Sequence, residues 1–171
     1  MIILALDAST TAVGWAVFED GDYRESGVYV PKHDDWWLRV RHIGLWLDGK
    51  LNGSLYHGAY PGPVVRVAYE IATGNRGNMR TNRLLGAVEY EVRCAVRRYS
   101  LQVPFLEVTA SQVRATQCHK ENLPNAVSIK GAPLHKTKKL AGDEADAIGV
   151  GLAAWGKIKK EQWEALGQEN Q

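Results

Sequence analysis

Two cysteines in 171 residues, Cys94 and Cys118, are too few for a disulfide framework and fit a reducing, cytoplasmic setting. A chain this long can do without one. It should bury roughly 70% of its unfolded surface, enough to fold without cross-links or a structural metal. Long apolar runs are also missing, and no stretch approaches the ~20 residues of a membrane span. The longest, Ile2 to Leu6, has no basic flank and no cleavage site, so it does not read as a signal peptide. There are no internal repeats and no low-complexity tract. Strong net charge is absent as well, with 21 Lys and Arg against 19 Asp and Glu. The apolar fraction of 45% and charged fraction of 23% are those of a globular chain and exclude wholesale disorder. One ordinary domain fits this length and two do not. Asn52-Gly53-Ser54 spells a glycosylation acceptor but reads as a turn.

The charge is unevenly spread. Residues 1–60 sum to −3, residues 61–140 to +8 and residues 141–171 to −3. A basic segment inside a nearly neutral chain is either a solvated face or the footprint of a polyanion.

Ile2 to Leu6 is a continuous apolar run ending in Asp7, the pattern of a strand buried on both faces. Gly14 to Glu19 and Tyr23 to Val30 are further strands, joined by an Asp20-Gly21 hairpin turn that needs positive φ. Asp34-Asp35 can cap a helix from Trp36 to Leu47, with Trp36, Val40, Ile43 and Leu47 on one stripe. Lys50 to Pro63 reads as a Gly/Pro-rich loop, and Val64 to Tyr69 as a buried strand closed by Glu70. After a polar stretch from Thr73 to Asn82, a helix runs to about Tyr99, with Leu84, Val88, Val92, Ala95 and Tyr99 as its apolar stripe. Pro104 to Val108 is a fifth strand and Ser111 to Gln117 a short helix. His119 to Leu140 reads as irregular and basic. Gly142 to Trp155 is the last helix, followed by a polar tail. The order βββ-α-β-α-β-α-α predicts an α/β fold on a mixed five-stranded sheet flanked by helices, with a domain over 1–156 and a tail over 157–171.

Asp7 and Glu70 each close a buried strand. If those strands are parallel neighbours, both acids emerge at the carboxyl edge, where open α/β sheets place their sites. Asp143 and Asp146 share one face of a helix start, while Glu144 between them should point elsewhere. Four converging carboxylates repel unless cations relieve them, and oxygen ligands select Mg²⁺ or Mn²⁺ over zinc. Singly, each acid could equally be a turn former or a helix cap.

Leu4-Ala-Leu-Asp-Ala-Ser-Thr-Thr-Ala-Val-Gly-Trp-Ala-Val17 resembles the first motif of RuvC-like nucleases of the ribonuclease H-like superfamily. Its Gly-Trp-Ala-Val portion also resembles the split RuvC domain of RNA-guided nucleases. Val67-Ala-Tyr-Glu70 resembles the second motif, and Asp143-Glu-Ala-Asp-Ala147 the last. In size the chain resembles the stand-alone Holliday junction resolvases of phages and bacteria. The resemblance implies that Asp7, Glu70, Asp143 and Asp146 hold two Mg²⁺ ions, with Mn²⁺ able to substitute and Asp7 bridging. It further implies hydrolysis of a phosphodiester to a 5′ phosphate and a 3′ hydroxyl. It implies branched DNA as partner, a homodimer built around the 83–99 helix, no small-molecule cofactor, no membrane, and a cytoplasmic setting in a bacterial or phage-infected cell.

On that basis the stretch after Glu70 should lie beside the scissile phosphate. Gly74, Asn75 and Gly77 allow close approach there, and Arg76, Arg80 and Arg83 can bind phosphates. Arg114 lies where relatives carry a basic DNA contact. Lys130, Lys136, Lys138 and Lys139 lead into Asp143, and one of them could neutralise the transition state. Cys118-His119 is too isolated for a zinc site. His33, His42, His57 and His135 show no ligand spacing, and only His135 lies near the acids. The tryptophans read as core. Relatives place an aromatic soon after the second acid, where this chain has Ile71, Ala72 and Thr73. The choice among four-way junctions, forks and flaps therefore stays open. Two other readings compete. One is a non-catalytic or differently specific nucleic-acid-binding module on the same fold. The other is a fragment of an actin-like kinase, whose phosphate motif also opens Asp-x-Ser/Thr but which needs two such domains.

Overall fold

The three apolar runs at the start form an antiparallel meander, β1 (Ile2–Ala8), β2 (Val13–Glu19) and β3 (Asp22–Tyr29), in a computed structural model that describes residues 1–52, 66–71, 79–116 and 142–168. The turn between β2 and β3 has φ of 52° at Asp20 and 88° at Gly21, the left-handed pair that a two-residue hairpin requires. Then follow α1 (Trp36–Leu51), β4 (Arg66–Ile71), α2 (Met79–Tyr99), β5 (Phe105–Thr109), α3 (Ala110–Arg114) and α4 (Gly142–Gln168). The sheet order is β3-β2-β1-β4-β5, with β1, β4 and β5 parallel. This is the expected mixed five-stranded sheet.

Strand alternation divides the core into two layers. Leu4, Leu6, Val13, Val17, Val67 and Tyr69 face one way, toward Val40, Ile43 and Leu47 of α1 and Val88, Val92 and Ala95 of α2. Ile3, Ala5, Ala16, Phe18, Ala68 and Val108 face the other way, toward Ala147, Ile148, Val150, Ala154 and Ile158 of α4. Helices thus cover both faces, which is why the central strands read as unbroken apolar runs.

Several boundaries differ from expectation. α1 continues through Lys50, expected in a loop. The Lys50 stem is buried, and its amine lies 3.3 Å from the centre of the Trp15 ring and 3.9 Å from Glu25. A cation over an aromatic face tolerates such burial, though burial still pulls its pKa down to about 8. α2 starts at Met79, inside the stretch read as polar loop, and the buried face of this helix holds Glu91 and Val96 while Leu84 is only half-buried. Glu91 is tolerated there because Arg41 and Arg98 donate to it at 3.2 and 3.3 Å. α4 does not stop at Trp155. Ile158 is buried, Lys157 Nζ donates to the Glu107 carbonyl at 2.6 Å, and Lys160 pairs with Glu164 one turn on, so the expected polar tail is helical to Gln168. Trp36 and Trp37 do not pack in the core. They sit on the first turn of α1 and are exposed. Among the described residues no helix is long and apolar enough to cross a membrane.

Candidate active site

The carboxyl edge of the sheet gathers the expected acids. In the parallel β1–β4 pair Leu6 lies opposite Tyr69, and the next residues along the two strands are Asp7 and Glu70. Leu6 and Tyr69 belong to the layer under α1 and α2, so alternation turns Asp7 and Glu70 to the α4 side. Across β1 from Asp7 is Gly14. A Cβ there would overlap the carbonyl of Asp143 and crowd the amide of Glu144. The bare α-carbon of Gly14 is therefore what lets the first turn of α4 lie against the strand that carries Asp7.

Glu144 holds this turn from the other side. Its carboxylate is 4% exposed and accepts from Ser26 Oγ of β3 at 2.7 Å, while Ser26 is also hydrogen-bonded to the Tyr23 hydroxyl at 2.8 Å. With Glu144 turned inward, Asp143 is exposed at the rim and Asp146, three residues on, is half-buried. Asp146 lies close enough to Glu70 for its charge to raise the Glu70 pKa. Burial is the larger cause of that rise, and the Arg114 guanidinium opposes both. Tyr69, beneath the edge, is held well above the usual phenol range, chiefly by burial, with Glu89 and then Asp7 adding to the effect. Its hydroxyl stays protonated.

Arg114 is exposed on α3, whose start is locked by a capping box between Thr109 and Gln112. Arg80 and Arg83 are exposed on the opening turns of α2. A helix that links parallel strands must run back from their carboxyl edge, so these arginines begin at the same rim as the acids. Arg76, Lys130, Lys136, Lys138, Lys139, His57, His135 and the Cys118-His119 pair lie outside the described residues, as does the loop expected up to Pro63. Of the remaining histidines, His33 and His42 stack edge-on at 5.9 Å.

The donor set at the rim is carboxylate oxygen, suited to a hard divalent cation. Among the described residues no three such side chains already stand within one metal's reach. Ser26 and Gly14 were not foreseen as part of this site. Gly14 could have been found, because a glycine opposite a strand-ending acid marks a close backbone approach. Nothing local to Ser26 points to a partner 118 residues away.

No family model and no curated protein sequence matches the chain. Solved structures do. The RuvC protein of T. thermophilus in complex with a Holliday junction substrate superposes with a TM-score of 0.69 at 19% identity, covering 92% of this chain and 96% of that one. This is the ribonuclease H-like fold of RuvC. The T. thermophilus RuvC structure gives a TM-score of 0.64 at 18% identity, over 93% of this chain and 97% of that one. The yeast mitochondrial Holliday junction resolvase gives 0.58 at 10% identity, over 97% and 83%. The RuvC likeness thus extends over more than nine-tenths of the chain. At such identities it is a likeness of backbone path.

Proposed function

We propose that this chain is a divalent-metal-dependent, structure-selective DNA endonuclease that resolves four-way junctions as a homodimer. The observation that carries the reading is the rim itself. Alternation turns Asp7 and Glu70 to one side of the carboxyl edge, and the close approach at Gly14 brings the Asp143–Asp146 turn of α4 to the same side. The fold shared with RuvC supports it.

The donors fit Mg²⁺ or Mn²⁺ in kind, because all are carboxylates, and burial together with the nearby Asp146 charge raises the Glu70 pKa. Asp7, Glu70, Asp143 and Asp146 would hold the ions. Bound divalent cations would acidify the attacking water and neutralise charge at the phosphorus. Arg114 faces Glu70 and would hold a phosphate oxygen of the strand being cut, with Arg80 and Arg83 holding phosphates along the rim. Water adds to phosphorus and the 3′ oxygen departs with a proton, leaving a 5′ phosphate and a 3′ hydroxyl. Two such sites in a two-fold dimer would cut the two symmetry-related strands of a junction.

Cleavage of matched four-way, Y-shaped and linear DNA, with Mg²⁺ and with chelator, tests the reading. We expect junction cutting that needs the metal and is abolished by Asp7→Asn, Glu70→Gln or Asp146→Asn, with DNA binding and melting retained. Full cleavage by Asp7→Asn, or binding without cleavage by the wild type, rejects it. The second result would leave a non-catalytic binding module.

A further inference from the structure

Two neighbouring tryptophans leave about half of their surface in solvent. Trp36 and Trp37 are 40% and 51% exposed, with their rings edge-to-face at 5.7 Å. The loop before them is fixed to the rim. Arg39 donates through Nε to the Thr10 carbonyl at 2.9 Å and through its guanidinium to the carbonyls of His33 and Asp34 at 3.1 and 3.0 Å. Thr10 stands three residues after Asp7, in a turn closed by the Ser9 amide on the Ala12 carbonyl at 2.9 Å. Counting three residues of chain, the guanidinium arm, one helical turn and the indole's own reach, the indoles stand within roughly 30 Å of Asp7. α1 follows β3 and α3 follows β5, the two outer strands of the sheet. The tryptophans and Arg114 thus follow opposite outer strands at the rim, with α1 on the face away from the Asp7 and Glu70 side chains.

We propose that Trp36 and Trp37 form a stacking platform for unpaired nucleobases, by the outer strand opposite to that of Arg114. Indole faces take any base, and stacking is how a protein holds bases that have left a duplex. The local charge constrains the pose, because a base stacked here must keep its phosphate turned away from the neighbouring acids. Asp34 and Asp35 precede the pair and would repel a backbone, while Asp35 is itself engaged as the helix cap, accepting from the Trp37 and Leu38 amides at 2.8 and 3.1 Å. The platform would give the site a direction, with open strands at the β3 side and duplex phosphates at the β5 side. This rests on the nuclease reading only in taking nucleic acid as the partner.

The test compares binding to a Y-shaped DNA with unpaired arms and to a linear duplex, in chelator, with 2-aminopurine in one arm as a reporter of stacking. Replacing both tryptophans with Ala should weaken fork binding by roughly 10- to 100-fold, leave duplex binding within twofold and remove the reporter's quenching. Trp36→Phe with Trp37→Phe should restore most of the fork affinity and guards against a folding defect in the Ala pair. Equal losses on fork and duplex, or unchanged fork binding and quenching, overturn the platform. If the wild type cleaves junctions while the Ala pair keeps its fork preference, only the platform falls. If the wild type binds neither DNA, the nuclease reading falls with it.

Discussion

At the scale of single residues, Glu70 carries a charge that its buried, acidic surroundings disfavour. Burial first, and the Asp146 carboxylate second, raise its pKa in the folded state. Between the ordinary value of 4.5 and the raised one, the folded form holds more protons than the unfolded chain. Stability therefore falls as pH rises through that window, and ionised Glu70 is a cost at neutral pH. Glu70→Gln should melt above the wild type at pH 7 in chelator, with the gap closing as pH drops below the ordinary glutamate range. Mg²⁺ should raise the wild-type melting temperature and leave the variant's nearly unchanged. A lower melting temperature for the variant at pH 7 would contradict this. Glycines provide a second contrast. Gly14→Ala drives a methyl into the Asp143 carbonyl, and neither backbone can yield, so a loss of about 1–3 kcal/mol in denaturant melts is expected, with cleavage lost too. Gly86 lies in α2 with open space where its Cβ would be, and Gly86→Ala should stabilise by up to ~1 kcal/mol.

At the scale of elements, α4 does two tasks. Its middle fills the second core layer, and its first turn presents acids at the rim. The Ser26–Glu144 bond couples that turn to β3. Ser26→Ala withdraws a donor from a buried carboxylate and should cost about 1–3 kcal/mol by chemical melts. Cleavage should fall with it, because Asp143 and Asp146 lie on either side of the loosened residue, and Ser26→Thr, which keeps the hydroxyl, should recover much of both. A variant that melts and cleaves like the wild type would show that Gly14 alone seats the turn. The expected loop at Lys50 and the expected tail after Trp155 failed for one reason. Both segments are polar in composition, yet their lysine ammonium groups are held by neighbours, Lys50 over the Trp15 ring and Lys157 on the Glu107 carbonyl of β5.

At the scale of the whole molecule, Arg80, Arg83 and Arg114 are exposed on helices that meet the acidic rim. Binding should weaken steeply with salt as counterions are released. Replacing Arg80, Arg83 and Arg114 with Ala should flatten the slope of log affinity against log salt by up to roughly 3. An unchanged slope would move the nucleic-acid surface off this rim. Dimerisation belongs to the same scale. α2 buries Val88, Val92 and Ala95 against the sheet and leaves Tyr90 exposed on its outer side. Light scattering at micromolar concentration should give twice the 19.0 kDa of one chain, and Tyr90→Glu should shift it toward one.

Sequence alone determined the strands, their order along the chain and the two acids that close β1 and β4, because alternation and unbroken apolar runs are local signals of burial, while the order within the sheet came from the fold. The Asp20-Gly21 turn was equally legible, since few residue pairs accept two positive φ angles. Only the tertiary structure decided which face each acid takes relative to α4, that Glu144 turns inward to Ser26, that Arg114 stands beside Glu70 and that two tryptophans remain outside. Each of these depends on elements far apart in the chain meeting in space. An apolar residue at helical spacing looks the same whether the fold buries it, as at Val40, or leaves it exposed, as at Trp36.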